Sequence, residues 1–263
     1  MSEIGRIDSV WRYPVKSMRG ESLPHAFLGF AGLYGDRIYA VKNAKADPGF
    51  PYHTGREQEE MILYQPGFVN SDAAAEPSNR QAAEAIAPGV KPLYADRASL
   101  SVEVTTPDGE TFPIADPAFI AHLKERLGKD GEDLSVQYSE TAFTDCRPIS
   151  LFSMQTVAQL AEEIEDPLDH RQFRANLYAD LSGAPFSEID LVGKKLKLGD
   201  KAVIAILEQD PRCKMITLDP ETGEERPEIL RHLTRTQGRF AGLYAAVLVE
   251  GTVKQGDAIK VLS

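Results

Sequence analysis

The sequence predicts a β-rich α+β protein, in which short strands form a barrel or a sandwich and a few helices lie at the periphery. Two observations support this. Short runs of β-branched or alternating residues recur along the 263 residues, and turn residues separate them. Helical patterns are few and do not alternate regularly with the strands, so a doubly wound parallel sheet is not favoured. Hydrophobic residues make up 42% of the chain, which is enough for an ordinary core.

The first predicted strand runs from Ile4 to Trp11 and ends before Tyr13-Pro14, because proline cannot donate to a strand ladder. Further strands are predicted at Arg37 to Val41, Leu100 to Thr105, Lys194 to Leu198, Val203 to Leu207 and Ile259 to Leu262. Turns are predicted between extended segments at Pro107-Asp108-Gly109-Glu110, Gly199-Asp200 and Gly256-Asp257.

Three helices are predicted. The first follows Asp116-Pro117, where Phe119, Leu123 and Leu127 recur every fourth residue. The second begins with Ser153 as its N-cap and carries an apolar stripe. The third covers Pro227 to Leu233.

Two segments have no strong pattern. Residues 71–91 are either a weak helix or a surface excursion. Residues 128–137 begin with a polar, glycine-containing run, which predicts a boundary between a domain of residues 1–130 and a domain of residues 131–263.

The net charge of −11 argues against nucleic acid or an anionic membrane as the main partner, since both require a basic surface. No run of 18 apolar residues predicts a transmembrane helix. The first residues lack the apolar core of a signal peptide, so a cytoplasmic location is expected.

Cys213 is the strongest candidate for chemistry. It lies between Arg212 and Lys214, and flanking cations favour the thiolate, which is the form that attacks carbon or binds a soft metal. Nucleophile, metal ligand and persulfide carrier all remain open from these residues, as does a small buried hydrophobic role. Whether Cys213 pairs with Cys146, the second cysteine, also stays open.

Several cationic segments are candidates for anion binding, although a solvated loop would explain each of them alone. Lys16 and Ser17 follow the first strand, without the glycine pattern of a P-loop. Arg37 follows a glycine-containing turn, and Arg56 follows Gly55. Arg174 and Asn176 are also candidates; they are two residues apart and would share one face of a predicted strand.

The order of these motifs resembles a known family. The motifs are Tyr13-Pro14-Val15-Lys16-Ser17, Gly32-Leu33 with Asp36-Arg37, Arg174-Ala175-Asn176, Arg212-Cys213 and Thr217-Leu218-Asp219-Pro220-Glu221-Thr222-Gly223. Together they resemble MOSC-domain proteins that carry a MOSC N-terminal β-barrel domain, among them the mitochondrial amidoxime-reducing components and the C-terminal domain of molybdenum cofactor sulfurase. The chain departs from the family pattern at Met18, at Ala175 and at Asp210.

The resemblance implies a MOSC β-barrel domain packed with an N-terminal β-barrel domain, and a molybdenum cofactor of the molybdopterin type. It implies Cys213 as the metal ligand and catalytic residue. The cofactor-binding residues that it implies are Lys16, Ser17, Arg37, Arg56, Ser153, Arg174, Asn176 and Arg212.

The implied activity is reduction of N-hydroxylated or N-oxide-type small molecules, with electrons from a separate flavin or iron–sulfur protein. The alternatives are a cofactor carrier without turnover and a sulfur carrier that uses a Cys213 persulfide.

Overall fold

The structure is a computed structural model that describes residues 2–80, 97–127 and 133–262. The strands are β1 Ser2–Arg12, β2 Glu21–Leu23, β3 His25–Gly29, β4 Gly32–Leu33, β5 Tyr39–Asn43, β6 Gln65–Phe68, β7 Val102–Thr105, β8 Thr111–Pro113, β9 Leu134–Tyr138, β10 Ile149–Ser153, β11 Leu177–Leu181, β12 Lys195–Leu198, β13 Ala202–Pro211, β14 Phe240–Val249, β15 Gly251–Lys254 and β16 Ala258–Leu262. The α-helices are α1 Pro117–Leu127, α2 Met154–Glu163 and α3 Pro227–Gln237.

Seven strands close into a barrel in the order β1–β11–β10–β14–β13–β12–β16, and β16 returns to β1. All neighbouring pairs are antiparallel except β10 and β11. Inward-facing residues alternate along the strands, as Ile204 and Ile206 of β13 show, and both are fully buried. The barrel therefore has a packed interior, which β3 and β4 extend with Leu28 and Leu33.

A second group of elements packs around its own core. Strands β6, β7 and β8 form an antiparallel meander, and β5 pairs with β9. Helix α1 places Phe119 and Leu123 against Val41, Met61 and Val104 in this core. The spacing of Phe119 and Leu123 is one helical turn, so both side chains lie on the buried face.

The predicted β-rich α+β fold is confirmed. All three predicted helices are present, and all the predicted strands but one, the strand around Arg174 and Asn176, overlap observed strands. The first strand β1 lies in the barrel with strands from the second half of the chain, and the domain boundary at residue 130 stays a prediction. Of the segment 71–91, residues 71–79 are mostly turns and residue 80 is helical, whereas 81–91 lie outside the described residues, as do 128–132.

The strand predicted around Arg174 and Asn176 is wrong. A 3₁₀ turn covers His170–Phe173, and a capping box from Asp169 stabilises its start. Arg174 then takes a left-handed conformation with φ 52°, which ends the turn, and β11 begins only at Leu177. Local hydrogen bonding by the side chain of Asp169 therefore outweighs the extended pattern of the sequence.

Within the described ranges, no helix is long and apolar enough to cross a membrane. The predicted cytoplasmic location remains a prediction.

Candidate functional site

One pocket gathers eight of the nine predicted site residues. These are Lys16, Ser17, Arg37, Arg56, Arg174, Asn176, Arg212 and Cys213. They come from the segments after β1, before and after β5, before β11 and after β13. Five separate stretches of chain therefore converge on a single site, at the junction of the barrel and the smaller sheets.

The pocket is strongly cationic for a chain whose net charge is −11. Six of its lining residues are lysine or arginine and two are aspartate. The cations are Lys16, Arg37, Arg56, Arg147, Arg174 and Arg212. Like charges in a partly buried site repel one another, so this arrangement favours an anionic occupant.

Backbone strain is concentrated at the same place. Six non-glycine residues of the described chain have left-handed φ angles, and three of them line the pocket. These three are Ser17 with φ 66°, Arg37 with φ 48° and Arg174 with φ 52°. Such conformations cost about 1–3 kcal/mol each and persist where the surrounding structure holds them, which is typical of binding sites.

Two of the arginines stack on one aromatic ring. The guanidinium carbons of Arg37 and Arg174 lie 4.6 and 4.4 Å from the centre of the buried Tyr13 ring. Arg37 also pairs with Asp36 and donates to the carbonyl oxygen of Arg174 at 2.9 Å, whereas Arg174 donates to Met18. Burial lowers the pKa of Arg174 to about 10. The two cations are thus fixed before any ligand arrives.

Asp145 bridges two further cations at the pocket. Its carboxylate pairs with Lys16 through one oxygen and with Arg56 through the other, at 2.8 Å. Burial would raise the pKa of Asp145, but Lys16, Arg56 and Arg37 outweigh burial and hold that pKa below its ordinary value. Burial also lowers the pKa of Lys16, against the opposing effect of Asp145. Asp145 therefore stays ionised between the two cations.

Cys213 lies two residues after the end of the irregular strand β13, which has a register shift between Gln209 and Pro211. The thiol is partly exposed and lines the pocket. The cation that faces its sulfur is Arg56: burial lowers the pKa of Arg56, but Cys213 and Asp145 raise it, and the net shift is upward. Arg56, distant in the sequence, thus supplies positive charge at the sulfur.

The prediction that Arg212 and Lys214 both act on the thiol of Cys213 is corrected, because both cations bind other groups. Lys214 pairs with Glu59 and with Glu225, the latter at 3.1 Å. Arg212 donates from Nε to the carbonyl oxygen of Ala241. Neighbours in the sequence point to different sides of an extended backbone, so adjacency along the chain does not place their charges together.

Arg212 lies at the floor of the pocket. Its Nη1 donates to the carbonyl oxygen of Phe173 at 2.8 Å and lies 2.9 Å from Asp210. Its Nη2 is buried and has no hydrogen-bond partner among the described residues. Gly242, with φ 78°, makes room for this group, since a Cβ there would lie 2.7 Å from Nη2. A buried donor without a partner is costly and points to a ligand atom that accepts from it.

Asp210 also lines the floor and is a residue that the sequence did not suggest as functional. Burial raises its pKa to about 6, although Arg212 and a hydrogen bond from Tyr244 act in the opposite direction. Burial likewise raises the pKa of Tyr244 above its ordinary value. Two proton-bearing groups therefore share the pocket with Cys213.

The side chains of Asn176 and Ser153 make hydrogen bonds within the protein. Asn176 lines the pocket, but its side-chain oxygen accepts from the Ser150 amide at 3.2 Å and its amide donates to Trp11. Ser153 is buried, donates to Gln155 and is not among the pocket residues. Ser150, on the same strand, lines the pocket instead.

Sequence patterns missed several lining residues, some of which lie in segments without a motif and others beside a motif residue. They are Phe50, Thr54, Thr144, Asp145, Arg147, Ser150, Gln172, Phe173, Pro211, Met215, Ile216 and Tyr244, in addition to Asp210. The polar run Thr144 to Arg147 is the one local signal that could have drawn attention to Asp145.

Cys146 and Cys213 are both free thiols in this structure, and Cys146 is exposed. Across residues 2–80, 97–127 and 133–262, no three His, Cys, Asp or Glu side chains gather as a metal site.

Two models of known protein families match separate ranges of this chain. Residues 139–260 match the MOSC domain, and residues 4–73 match the MOSC N-terminal beta barrel domain. Mitochondrial amidoxime reducing component 2 from Bos taurus is 25% identical over 299 residues, which cover 98% of this chain and 84% of that protein.

Molybdenum cofactor sulfurase from Drosophila willistoni is 39% identical over 140 residues, which cover 49% of this chain but 17% of that protein. Among solved structures, the YUAD protein from Bacillus subtilis superimposes with a TM-score of 0.45 at 12% identity, over 98% of this chain and 94% of that one.

Proposed function

Because this chain is a MOSC-domain protein with a MOSC N-terminal β-barrel domain, we propose that its cationic pocket binds a molybdenum cofactor of the molybdopterin type. The loaded protein is then an oxidoreductase that removes oxygen from N-hydroxylated or N-oxide-type small molecules. The observation that carries the proposal is the convergence of six cations and one partly exposed thiol in a single pocket.

The residues present fit such a cofactor. Molybdopterin carries a phosphate, and the cations of the pocket offer several hydrogen-bond donors to it. The unpartnered Nη2 of Arg212 supplies a buried donor that needs an acceptor. Cys213 offers a sulfur ligand, which suits a soft or high-valent metal once the thiol has lost its proton.

Each part of the site has a distinct role in this proposal. Lys16, Arg37 and Arg56 hold the anionic part of the cofactor, and the strained backbone at Ser17 lines the same pocket. Cys213 is the protein ligand to the metal. When bound, the cofactor supplies the two-electron redox centre that the protein side chains lack.

The reaction consumes two electrons and two protons, breaks the N–O bond and releases the oxygen as water. The electrons come from a separate flavin or iron–sulfur protein. Two groups in the pocket can supply these protons. Asp210 exchanges its proton near neutral pH, and Tyr244 hydrogen-bonds to Asp210. Both residues line the pocket that holds Cys213.

The substrate class rests on the similarity to amidoxime reducing components, which extends over 98% of the chain at 25% identity. It is supported by a pocket that carries both proton donors and a metal-ligand candidate.

The test is the metal and pterin content of protein produced in a host that makes the cofactor. Wild-type protein should contain molybdenum and pterin. Cys213→Ser should lose molybdenum and keep pterin, since the basic residues that hold the cofactor are unchanged. Cys146→Ser is the matched control and should keep both. Wild-type protein without either component, or Cys213→Ser protein with full molybdenum, would refute the assignment.

A second candidate is a protein that carries the cofactor or its sulfur without reducing a substrate. The 39% identity to a molybdenum cofactor sulfurase over half of the chain favours it. In that case Cys213 would carry a persulfide, detected as a reductant-sensitive mass increase of one sulfur atom on its peptide. Binding of cofactor without turnover, in the presence of a competent electron donor, would select this candidate over the reductase.

A further inference from the structure

An apolar groove lies directly beside the cationic pocket. Cys146, Ile189, Val192, Leu207 and Phe240 line it. Eight large hydrophobic residues are exposed on the described surface, and four of them lie in this groove. Scattered exposed hydrophobic residues are ordinary, but half of them gathered in one concave place mark a binding surface.

The groove and the pocket are neighbours that share one wall residue. Pro211 lines both, and it pairs across the ladder with Phe240. The short run Asp145 to Arg147 also serves both, because Asp145 and Arg147 line the pocket while Cys146 lines the groove. An ion pair of Arg147 with Glu208, at 2.7 Å, stands at the border between them.

The backbone fixes the groove in place. The 3₁₀ turn Ser187–Leu191 brings Ile189 and Val192 to the side of β13. There the amide of Gly193 donates to Ile206, and the amide of Ile206 donates to Lys194, at 2.9 Å each. Leu207 therefore lies beside the turn as part of a hydrogen-bonded framework, so the apolar walls exist before a ligand arrives.

We propose that this groove binds the apolar part of the substrate whose polar head is reduced at Cys213. The substrate class is an amphipathic small molecule, with an N–O head at the pocket and an alkyl or aryl tail along Val192 and Leu207 toward Phe240. This inference rests on the proposed reductase function. Pro211, in the shared wall, is two residues from Cys213 along the chain, so the groove begins beside the segment that carries the thiol.

The experiment compares two amidoximes that differ in tail length, acetamidoxime and hexanamidoxime. With loaded enzyme and its electron donor, the KM for hexanamidoxime should be roughly tenfold lower, because partial burial of four methylene groups supplies that factor. The double variant Val192→Ser/Leu207→Ser should lose this preference, because its KM for hexanamidoxime should rise to about its KM for acetamidoxime.

The matched control is Val249→Ser/Leu248→Ser. It removes the same two residue types from positions of similar exposure, 41% and 43% against 39% and 41%, outside the groove. The control should retain the tenfold preference. Equal KM values for the two amidoximes in wild-type enzyme, or an equal loss in both double variants, would overturn the proposal.

A second readout needs no turnover. Cys146 is exposed in the groove, so its alkylation by iodoacetamide, followed by peptide mass spectrometry, reports occupancy. Hexanamidoxime should slow alkylation of Cys146, and acetamidoxime should not. Slowed alkylation of Cys146 without any turnover of the amidoxime would refute the reductase function and support binding of the tail in the groove. If hexanamidoxime does not protect Cys146, the groove binds no such ligand. If protection rises with protein concentration in the absence of ligand, a second copy of the chain covers the groove.

Discussion

Asp210 is a buried carboxyl group whose pKa is raised to about 6 by burial, from an ordinary value of 3.8. A raised pKa means that the folded protein holds the proton where the unfolded chain has lost it. The stability that this proton confers is present at low pH and is lost as the pH rises through about 6. The shift corresponds to about 3 kcal/mol.

Asp210→Asn should remove this dependence. Between about pH 4 and pH 7, the free energy of unfolding of wild-type protein should fall by about 3 kcal/mol relative to that of Asp210→Asn. Urea unfolding at several pH values measures the difference. Glu208→Gln, which changes a half-exposed carboxylate on the same strand, is the control and should follow wild-type protein. Parallel curves for wild type and Asp210→Asn would contradict the assignment.

Gly242 combines a left-handed backbone with close packing. A Cβ there would lie 2.5 Å from Phe152 and 2.7 Å from Nη2 of Arg212. Gly256 has a similar φ of 84° but open space around it. Alanine substitutions at the two glycines therefore separate the free-energy cost of the left-handed backbone from the cost of a steric clash.

Gly256→Ala should cost about 1–2 kcal/mol of stability, from backbone strain alone. Gly242→Ala should cost more than this and should also weaken retention of the pterin, because the added methyl group displaces the guanidinium of Arg212. Chemical unfolding and pterin content measure the two effects. Equal losses in both variants would show that Arg212 does not depend on the space at Gly242.

Residue motifs predicted which side chains would share one pocket better than they predicted the contacts of those side chains. Lys16, Arg37 and Cys213 could be identified from motif order and do line one pocket. The contact between Arg56 and Cys213 could not be predicted, because it joins segments that only the folded chain brings together. Conversely, Lys214 adjoins Cys213 in the sequence, but carboxylates from other segments bind it.

At the scale of elements, the start of helix α2 was predicted correctly, but the capping hydrogen bond on which the prediction rested is absent. Ser153 precedes the helix as the pattern predicts, yet its side chain makes no capping hydrogen bond. Its hydroxyl donates to Gln155, whose side-chain oxygen also accepts from the amide of Leu181 at 3.1 Å. Ser153 thus ties the first turn of α2 to β11 and does not line the pocket.

Ser153→Ala should therefore lower stability by about 1 kcal/mol, the value of one buried hydrogen bond, and leave pterin content unchanged. Ser150→Ala is the matched control on the same strand. Ser150 lines the pocket and binds Asn176, so its removal should lower pterin content. Loss of pterin in Ser153→Ala protein with full content in Ser150→Ala protein would reverse these roles.

Strands and helices were largely predictable, since alternation and four-residue spacing depend on neighbours in the chain. The segment before β11 was not. Its residues suit a strand, but Asp169 caps a 3₁₀ turn and Arg174 adopts a left-handed conformation. Closure of the barrel could not be predicted either, because pairing of β1 with β11 and β16 depends on long-range contacts that no local pattern encodes.

At the scale of the whole molecule, the barrel joins the two halves of the chain. Strand β1 pairs with both β11 and β16, and β3 pairs with β15. Residues on both sides of the predicted boundary at 130 share one hydrophobic core, which includes Ile7 and Leu243.

A chain cleaved at a protease site inserted after residue 130 should therefore remain a single particle. Both fragments should elute together in size-exclusion chromatography under native conditions and separate only in denaturant, because parting them would expose the barrel core and break the β1 ladders. Insertion of the same site without protease treatment is the control. Two native peaks after cleavage would show that residues 1–130 and 131–263 are independent domains.

Closure of the barrel by β1 has a consequence during synthesis on the ribosome. Among the barrel strands, β1 leaves the ribosome first and β16 leaves last. At about 5–20 residues per second, roughly 12–50 s pass between these events. The edge of β1 that pairs with β16 stays unpaired throughout this time, and the edge that pairs with β11 stays unpaired until β11 has left the ribosome. The nascent chain is thus a natural client for chaperones that shield unpaired strands, and the yield of folded protein should depend on them.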